Sequence, residues 1–175
     1  MHVTLEPFRP CHAQALASLC QSADRTYLSG RLPSPYTLRD AEAFIRHAAE
    51  ADGKTGLFRA VVADGALVGN ISVERKDGLS CRDAEIGYLL HPHCASQGIM
   101  TRAVGQMCAL SFARLDLLRI TGQVFAPNAA SRRVLEKNGF ALEGLLRDAV
   151  FKDGRAYDLC VYGLLRGNAV PGGAP

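Results

Sequence analysis

The stretch AEIGYLLHPHCASQGIMTRAVGQMCALSFARLDLLRITGQVF, residues 84–125, decides the fold. Its first run is apolar and stops at Pro92, which cannot continue a ladder. Its last run, RITGQVF, has the β-branched content of a strand. Between them Met100, Ala103, Val104, Met107, Cys108, Phe112 and Leu115 recur at helical spacing and form one apolar stripe. Strand, helix and strand in that order form a crossover, so the strands at 85–91 and 119–125 are expected to run parallel with right-handed connectivity. The segment CASQG then lies at the carboxyl end of a strand and the amino end of a helix. The leading N–H groups of a helix have no internal partners and attract anions. Ala95, Ser96 and Gly98 keep bulk away from them, and Ser96 and Thr101 add hydroxyl donors. From spacing alone, an ordinary strand-to-helix turn that contains a glycine and a phosphate cradle both stay open.

Working outward, HVTLEPF reads as a first strand, and Pro10 precedes a helix with Ala15, Leu16 and Leu19 on one face. RTYLSGRLPSPY reads as a loop. Thr37 and Asp40 form a capping-box-like start to a second helix, with Ala41, Phe44, Ile45 and Ala48 on its apolar side and an end near Gly53. LFRAVVADGALVGNISVER predicts a tight hairpin at Asp64-Gly65. Beyond residue 125, NAASRRVLEKN predicts a helix closed by Gly139, and two further strands turn at Asp153-Gly154. The order is β-α-α-β-β-β-α-β-α-β-β, an α+β chain with a mixed, largely antiparallel sheet. It reads as one domain over residues 1–166, followed by a frayed tail at 167–175.

Composition narrows the function classes. The chain of 175 residues carries 20 basic and 17 acidic side chains, a net charge of +3. That excess is too small to argue for nucleic acid, and no dense basic stripe occurs. The excess is uneven: 10 basic and 11 acidic residues lie through Cys94, against 10 and 6 from Ala95 onward. An anionic ligand in the second half or a solvated basic face accounts for it. The six cysteines form no C-x-x-C pair, so neither a zinc ribbon nor a disulfide framework is indicated. No run approaches the roughly 20 apolar residues of a membrane span, and the start lacks a signal-peptide pattern; a soluble, cytoplasmic protein is the expectation. DGKTG at residues 52–56 lacks the earlier glycine of a P-loop, and no G-x-G-x-x-G occurs. HPHC at 91–94 has no second cluster to complete a metal site, and no metal is expected.

AEIGYLLHP, QGIMTRAV, RITGQVFAPNAASRRVLEKNGFALEG and RDAVFKDGRAYDLCVYGLL, in that order and spacing, resemble the GNAT acyltransferases, and within them the RimJ/RimL-type N-acetyltransferases. The likeness runs from about residue 4 to residue 166. The fold implied is a GNAT-like sheet splayed at a central parallel strand pair and flanked by helices. The resemblance implies acetyl-CoA as co-substrate, its pantetheine held in the splay by backbone around Leu89, Leu90 and His91. It implies the pyrophosphate on the loop and helix start formed by Ser96, Gln97, Gly98, Ile99, Met100 and Thr101, with Asn128 bonded to the pantetheine arm. An N-cap role for Asn128 is compatible with that. Ala95 and Ser96 depart from the family's usual residues at their positions.

Acetyl transfer needs a neutral amine and protonation of the leaving thiolate. The resemblance assigns the base to Glu85, where the apolar neighbours in AEIG suggest a buried setting; a solvent-facing strand glutamate is the alternative. Leu135 stands where many relatives place a tyrosine. Ser131 matches the acid proposed for the Rim-type branch, and Tyr157 and Tyr162 are further candidates. The loop 27–36 and the final hairpin are expected to select the acceptor. A protein N-terminal α-amine is favoured over a small-molecule amine, with direct attack in a ternary complex. A non-catalytic CoA-binding or regulatory module of the same fold is the competing reading. No nucleic acid or membrane partner is expected, and the protein is expected to be a monomer or a weak homodimer.

Overall fold

The computed structural model describes residues 1–28 and 30–168. Seven strands form one sheet: β1 (Val3–Pro7), β2 (Gly56–Ala63), β3 (Ala66–Arg75), β4 (Asp83–Leu90), β5 (Arg119–Phe125), β6 (Ala141–Lys152) and β7 (Arg155–Leu165). Their order is β1-β2-β3-β4-β5-β7-β6, and only β4 and β5 run parallel. Four helices flank it: α1 (Ala13–Ser22), α2 (Leu38–Ala51), α3 (Ile99–Arg114) and α4 (Ala129–Lys137). The element order is the one expected from periodicity, and the α+β class with a largely antiparallel sheet stands. Of the expected tail, residues 169–175 lie outside the described residues.

Turn chemistry sets the register beside each hairpin turn, before the bulges at Val61/Val62 and Leu146/Val150 shift it. Asp64 and Gly65 take φ of 47° and 84°, and Asp153 and Gly154 take 50° and 75°, the left-handed pair that a two-residue hairpin with right-twisted strands requires. They fix Ala63 opposite Ala66 and Lys152 opposite Arg155. The start of α2 is a closed capping box: Asp40 N–H donates to Thr37 Oγ1 at 3.3 Å, and Thr37 N–H donates to Asp40 Oδ2 at 2.8 Å. On α1 the apolar face is Ala13, Leu16, Ala17, Leu19 and Cys20; Ala15, expected inside, is exposed.

The sheet has two differently covered faces. Residues Ile71, Val73, Ala84, Ile86 and Ile120 point to the face under α3 and α4, where they meet Met100, Val104, Met107 and Leu135 in the main core. The α1 and α2 face has a smaller core around Leu16, Leu19, Tyr36 and Ile45. Strand β2 is buried at every residue because α2 covers one side and α3 the other. One charge lies under the α3 side: Arg59, 4% exposed, donates to Asp52 Oδ1 at 2.5 Å, and Asp52 also pairs with Arg114 at 3.2 Å. This ties the end of α2 to β2 and to the end of α3.

Burial pushes the Asp52 carboxyl up, but the hydrogen bond and charge of Arg59, then those of Arg114, hold it below its ordinary value. A depressed folded pKa gives stability that is full above the unfolded pKa and lost as pH falls through the folded one. Asp52→Asn is expected to lower unfolding free energy at pH 7 by about 2 kcal/mol, since Arg59 loses its charge partner. Urea unfolding should show the gap to wild type closing below about pH 4.

Candidate active site

The parallel pair is short. Residues Asp83, Ala84, Glu85 and Ile86 pair with Arg119, Ile120, Thr121 and Gly122, and there the pairing stops. Strand β4 continues to Leu90 on β3, and β5 continues to Phe125 on β7, so the two strands splay. The closed end is pinned by Asp83, which accepts from Thr121 Oγ1 at 2.8 and 2.9 Å, pairs with Lys76 at 2.6 Å and lies 3.7 Å from Arg119. At the open end α4 crosses β5. A Cβ on Gly122 would stand 2.7 Å from Leu135 Cδ1 and 3.5 Å from Ile86 Cγ2. Only glycine lets Leu135 seat over the last paired residues.

The splay leaves backbone groups without a strand partner. His91 N–H donates to Val68 O at 2.8 Å, so it points toward β3. Strand alternation then turns the N–H and C=O of Leu89 to β3 as well and those of Tyr88 and Leu90 toward the gap. Of the expected backbone ligands, Leu90 therefore faces the opening, whereas Leu89 and His91 face their sheet neighbour. The signal for this was the alternation itself.

Beyond the gap the chain makes a single turn at residues 92–94 and enters α3 through Ser96 at φ 61° and the N-cap Gly98 at φ 74°. Arg102 N–H, donating to Gly98 O at 3.1 Å, makes the first bond of the helix. Among the described residues, the N–H groups of Gln97, Gly98, Ile99, Met100 and Thr101 donate to no protein acceptor. Around the Gly98 Cβ position there is open space. Ile99 and Met100 bury their side chains in the core while Ser96, Gln97 and Gly98 are exposed, so the loop is anchored by its apolar end and open at its polar one. Asn138 donates to Thr101 O at 3.1 Å and to Val134 O at 2.8 Å, which holds the end of α4 against the start of α3.

Asn128 and Ser131 lie at the start of α4 beside the gap. Asn128 Oδ1 accepts Ser131 N–H at 3.1 Å, so it is the N-cap, and its amide nitrogen is left for another partner. Ser131 Oγ lies 2.7 Å from the hydroxyl of Tyr88, a residue that neither periodicity nor motif had marked. Burial pushes the Tyr88 phenol up to about 12. Tyr162 is occupied differently: its hydroxyl donates to Glu136 Oε1 at 2.7 Å and accepts from Arg132 Nε at 3.0 Å, an anchor between β7 and α4.

Glu85 lies on the opposite face. It is half-buried and lines a cavity of about 600 Å³ under α1 and α2, together with Ser72, Glu74, Tyr36, Leu32 and Gly87. Its cross-strand partner is Glu74, with Ser72 donating to that carboxylate at 3.3 Å. The setting of Glu85 is thus polar, not the apolar one that AEIG suggested, because alternation sends Ala84 and Ile86 to the other face. The loop after α1 walls this cavity. Lys152 of β6 donates to the carbonyls of Arg25, Thr26 and Leu28, and Tyr27 packs on Phe125 and Tyr157 with ring centroids 5.8 and 6.4 Å apart. The loop and the final hairpin, distant in sequence, meet at the open end of β5.

The sheet is thus splayed at one parallel pair, with N–H groups free of protein acceptors at the start of α3 and a cavity under α1 and α2. A family model for the acetyltransferase (GNAT) domain matches residues 2–141. The chain is 31% identical over 170 residues to "Putative ribosomal N-acetyltransferase YdaF" of Bacillus subtilis (strain 168), covering 94% of this chain and 92% of the relative. A crystal structure described as a probable acetyltransferase superposes with a TM-score of 0.82 at 30% identity, over 95% of this chain and 94% of the other. RimJ of Mycobacterium smegmatis, in complex with CoA-disulfide, superposes with a TM-score of 0.79 at 25% identity, over 94% and 82% of the two chains. The chain belongs to the GNAT acetyltransferase family, on its RimJ/RimL-type branch, and is an N-acetyltransferase.

Gly122→Val is expected to cost about 2 kcal/mol by overpacking Leu135, read as a lower urea midpoint. Leu135→Ala added to that chain should recover part of the loss, because it removes the atom the new side chain meets.

Proposed function

We propose that the protein transfers the acetyl group of acetyl-CoA to a primary amine, by direct attack within a ternary complex. One observation carries the reading. The strands splay beyond Ile86 and Gly122, with the unpaired N–H groups at the start of α3 beyond the end of β4 and the cavity that contains Glu85 under α1 and α2. A ligand with an anionic end, an extended amide-bearing arm and a reactive tip matches that arrangement. RimJ, a relative with this fold, binds CoA as a disulfide.

In this reading the pyrophosphate lies on the N–H groups of Gln97 through Thr101, with the Ser96 and Thr101 hydroxyls as further donors. The pantetheine amides bond to the gap-facing backbone of Leu90 and Tyr88, with Leu89 and His91 shaping the strand edge, and Asn128 uses its free amide nitrogen on the arm. The residues present fit the group: the donor row is unpaired, and the space above Gly98 is empty. Ala95 contributes no side chain to this binding, so the backbone carries it.

Acetyl-CoA supplies an activated acyl carbon and a good leaving group. Glu85, half-buried and facing the cavity, takes the proton that the attacking nitrogen must lose, directly or through one water. Ser131, across the gap, donates a hydrogen bond to the sulfur as the C–S electron pair moves onto it. Glu85 offers the amine an acceptor in a cavity where the carboxylates of Asp40, Glu74 and Glu85 are matched by Arg31, Arg75 and Lys76. Leu32 and Tyr36 form apolar walls. A protein N-terminal α-amine suits this mixture, and the YdaF relative is named for ribosomal acetylation. The same chemistry holds for a small primary amine.

The test is acceptor-dependent release of free CoA from acetyl-CoA, screened over peptides with free N-termini, their N-blocked forms and small amines. Release with free but not blocked peptides is the expected outcome; release with none of the amines would overturn the proposal. Glu85→Gln is expected to lower kcat by about tenfold to a hundredfold while acetyl-CoA affinity holds. A mutant pH-rate profile equal to wild type would remove Glu85 as base. Gly98→Glu should weaken CoA binding by at least about tenfold in a calorimetric titration, roughly 1.4 kcal/mol, by placing a carboxylate among the donor N–H groups.

A further inference from the structure

The proposed transfer uses Ser131 but leaves its partner unexplained. Tyr88 belongs to the splayed part of β4, and Ser131 to the first turn of α4, which follows β5. Their hydroxyls, 2.7 Å apart, are the side-chain contact that spans the gap between the two strands. The Tyr88 hydroxyl also lies 3.2 Å from the Ser131 carbonyl oxygen. A phenol has one proton: given to the Ser131 carbonyl, it leaves Oγ to donate to Tyr88; given to Oγ, it leaves the serine proton free.

The remaining bonds decide what the serine proton does. Ser131 N–H is taken by Asn128 Oδ1, and Ser131 Oγ has no other partner among the described residues. If Tyr88 donates to Oγ, the serine keeps its own proton for a third group, and the opening toward the gap is the direction without a protein acceptor. Burial keeps Tyr88 protonated. The titratable groups near its hydroxyl are Cys108 of α3, whose buried thiol is pushed up to about 12, and Tyr162 of β7, also raised by burial. Both are neutral at pH 7, so no adjacent charge competes for the phenol proton.

We propose that Tyr88 is a positioning residue that donates its phenolic hydrogen bond to Ser131 and so turns the serine hydroxyl into a fixed donor to the CoA sulfur. It rests on the acetyltransfer reading and adds to it a second residue at the leaving group. The balance is simple. The nitrogen lone pair forms the N–C bond, the C–S bond breaks with its pair going to sulfur, and the proton lost by nitrogen leaves on the Glu85 side. Ser131 and Tyr88 keep their protons and stabilise the thiolate through two hydrogen bonds in series, each strengthening the other.

The experiment is an ultraviolet titration of the CoA thiol in its complex with wild type, Tyr88→Phe, Ser131→Ala and the double variant, which needs no acceptor. The wild-type complex should hold the thiol about one pH unit below free CoA. Tyr88→Phe and Ser131→Ala should each remove most of that shift, and the double variant no more than either. A 3,5-difluorotyrosine at position 88, which keeps ring and hydroxyl but donates more strongly, should lower the thiol further; a purely structural tyrosine would not do this. An unchanged thiol in Tyr88→Phe, or weaker CoA binding without a thiol shift, would overturn the proposal, and so would failure of wild type to bind CoA. Failure of the acetyltransfer reading has a different signature: the thiol shift present, with no acceptor-dependent CoA release from any amine.

Discussion

The structure turns on a parallel strand pair that is held at one end and released at the other. Asp83 binds Thr121 and lies among Lys76 and Arg119, and these contacts close the start of the pair. The ladder ends after Ile86 and Gly122, where Leu135 of α4 packs onto Gly122. A backbone edge inside a folded protein normally finds a partner. Here the edge groups of Tyr88 and Leu90 face the gap without a strand partner on β5. Neighbouring strands supply the stability that the pair forgoes: β3 holds β4 along its whole length, and β7 holds β5.

Because the sheet is one layer thick, the two faces of the gap see different chemistry. The α3 and α4 side carries the free helix N–H groups, Asn128, Ser131 and Tyr88, a set of donors suited to phosphate, amide and thiolate. The α1 and α2 side carries Glu74 and Glu85 in a cavity that Arg31, Arg75 and Lys76 also line. Asn138, which ties Thr101 to Val134, keeps the donor side together, while Lys152 fastens the loop after α1 to the final hairpin and keeps the acceptor side walled.

Much of this was legible in the sequence, for identifiable reasons. The Asp-Gly turns, the capping box at Thr37 and the apolar stripe of α3 are local features, each set by backbone conformations that few residues adopt or by a single periodicity. They gave the order of elements, the crossover, and the family to which the motifs from Glu85 onward are similar. AEIG reads as a run of apolar neighbours around Glu85, but alternation puts Ala84 and Ile86 on the other face and sets Glu85 beside Glu74 of a different strand. Ala15 was expected inside for a similar reason: spacing defines a face, but only packing decides its width.

The sequence by itself determined the chain order, the hairpin turns, the glycine at the mouth of α3 and the loop before it, since each depends on residues close in the chain. The tertiary structure alone decided where the parallel ladder stops and that Tyr88 meets Ser131 43 residues away. It also decided that Tyr162 is tied to Arg132 and Glu136. Those outcomes depend on how α4 lies on β5, and a helix position is set by the shapes of side chains from several elements at once. No pattern along the chain encodes that sum.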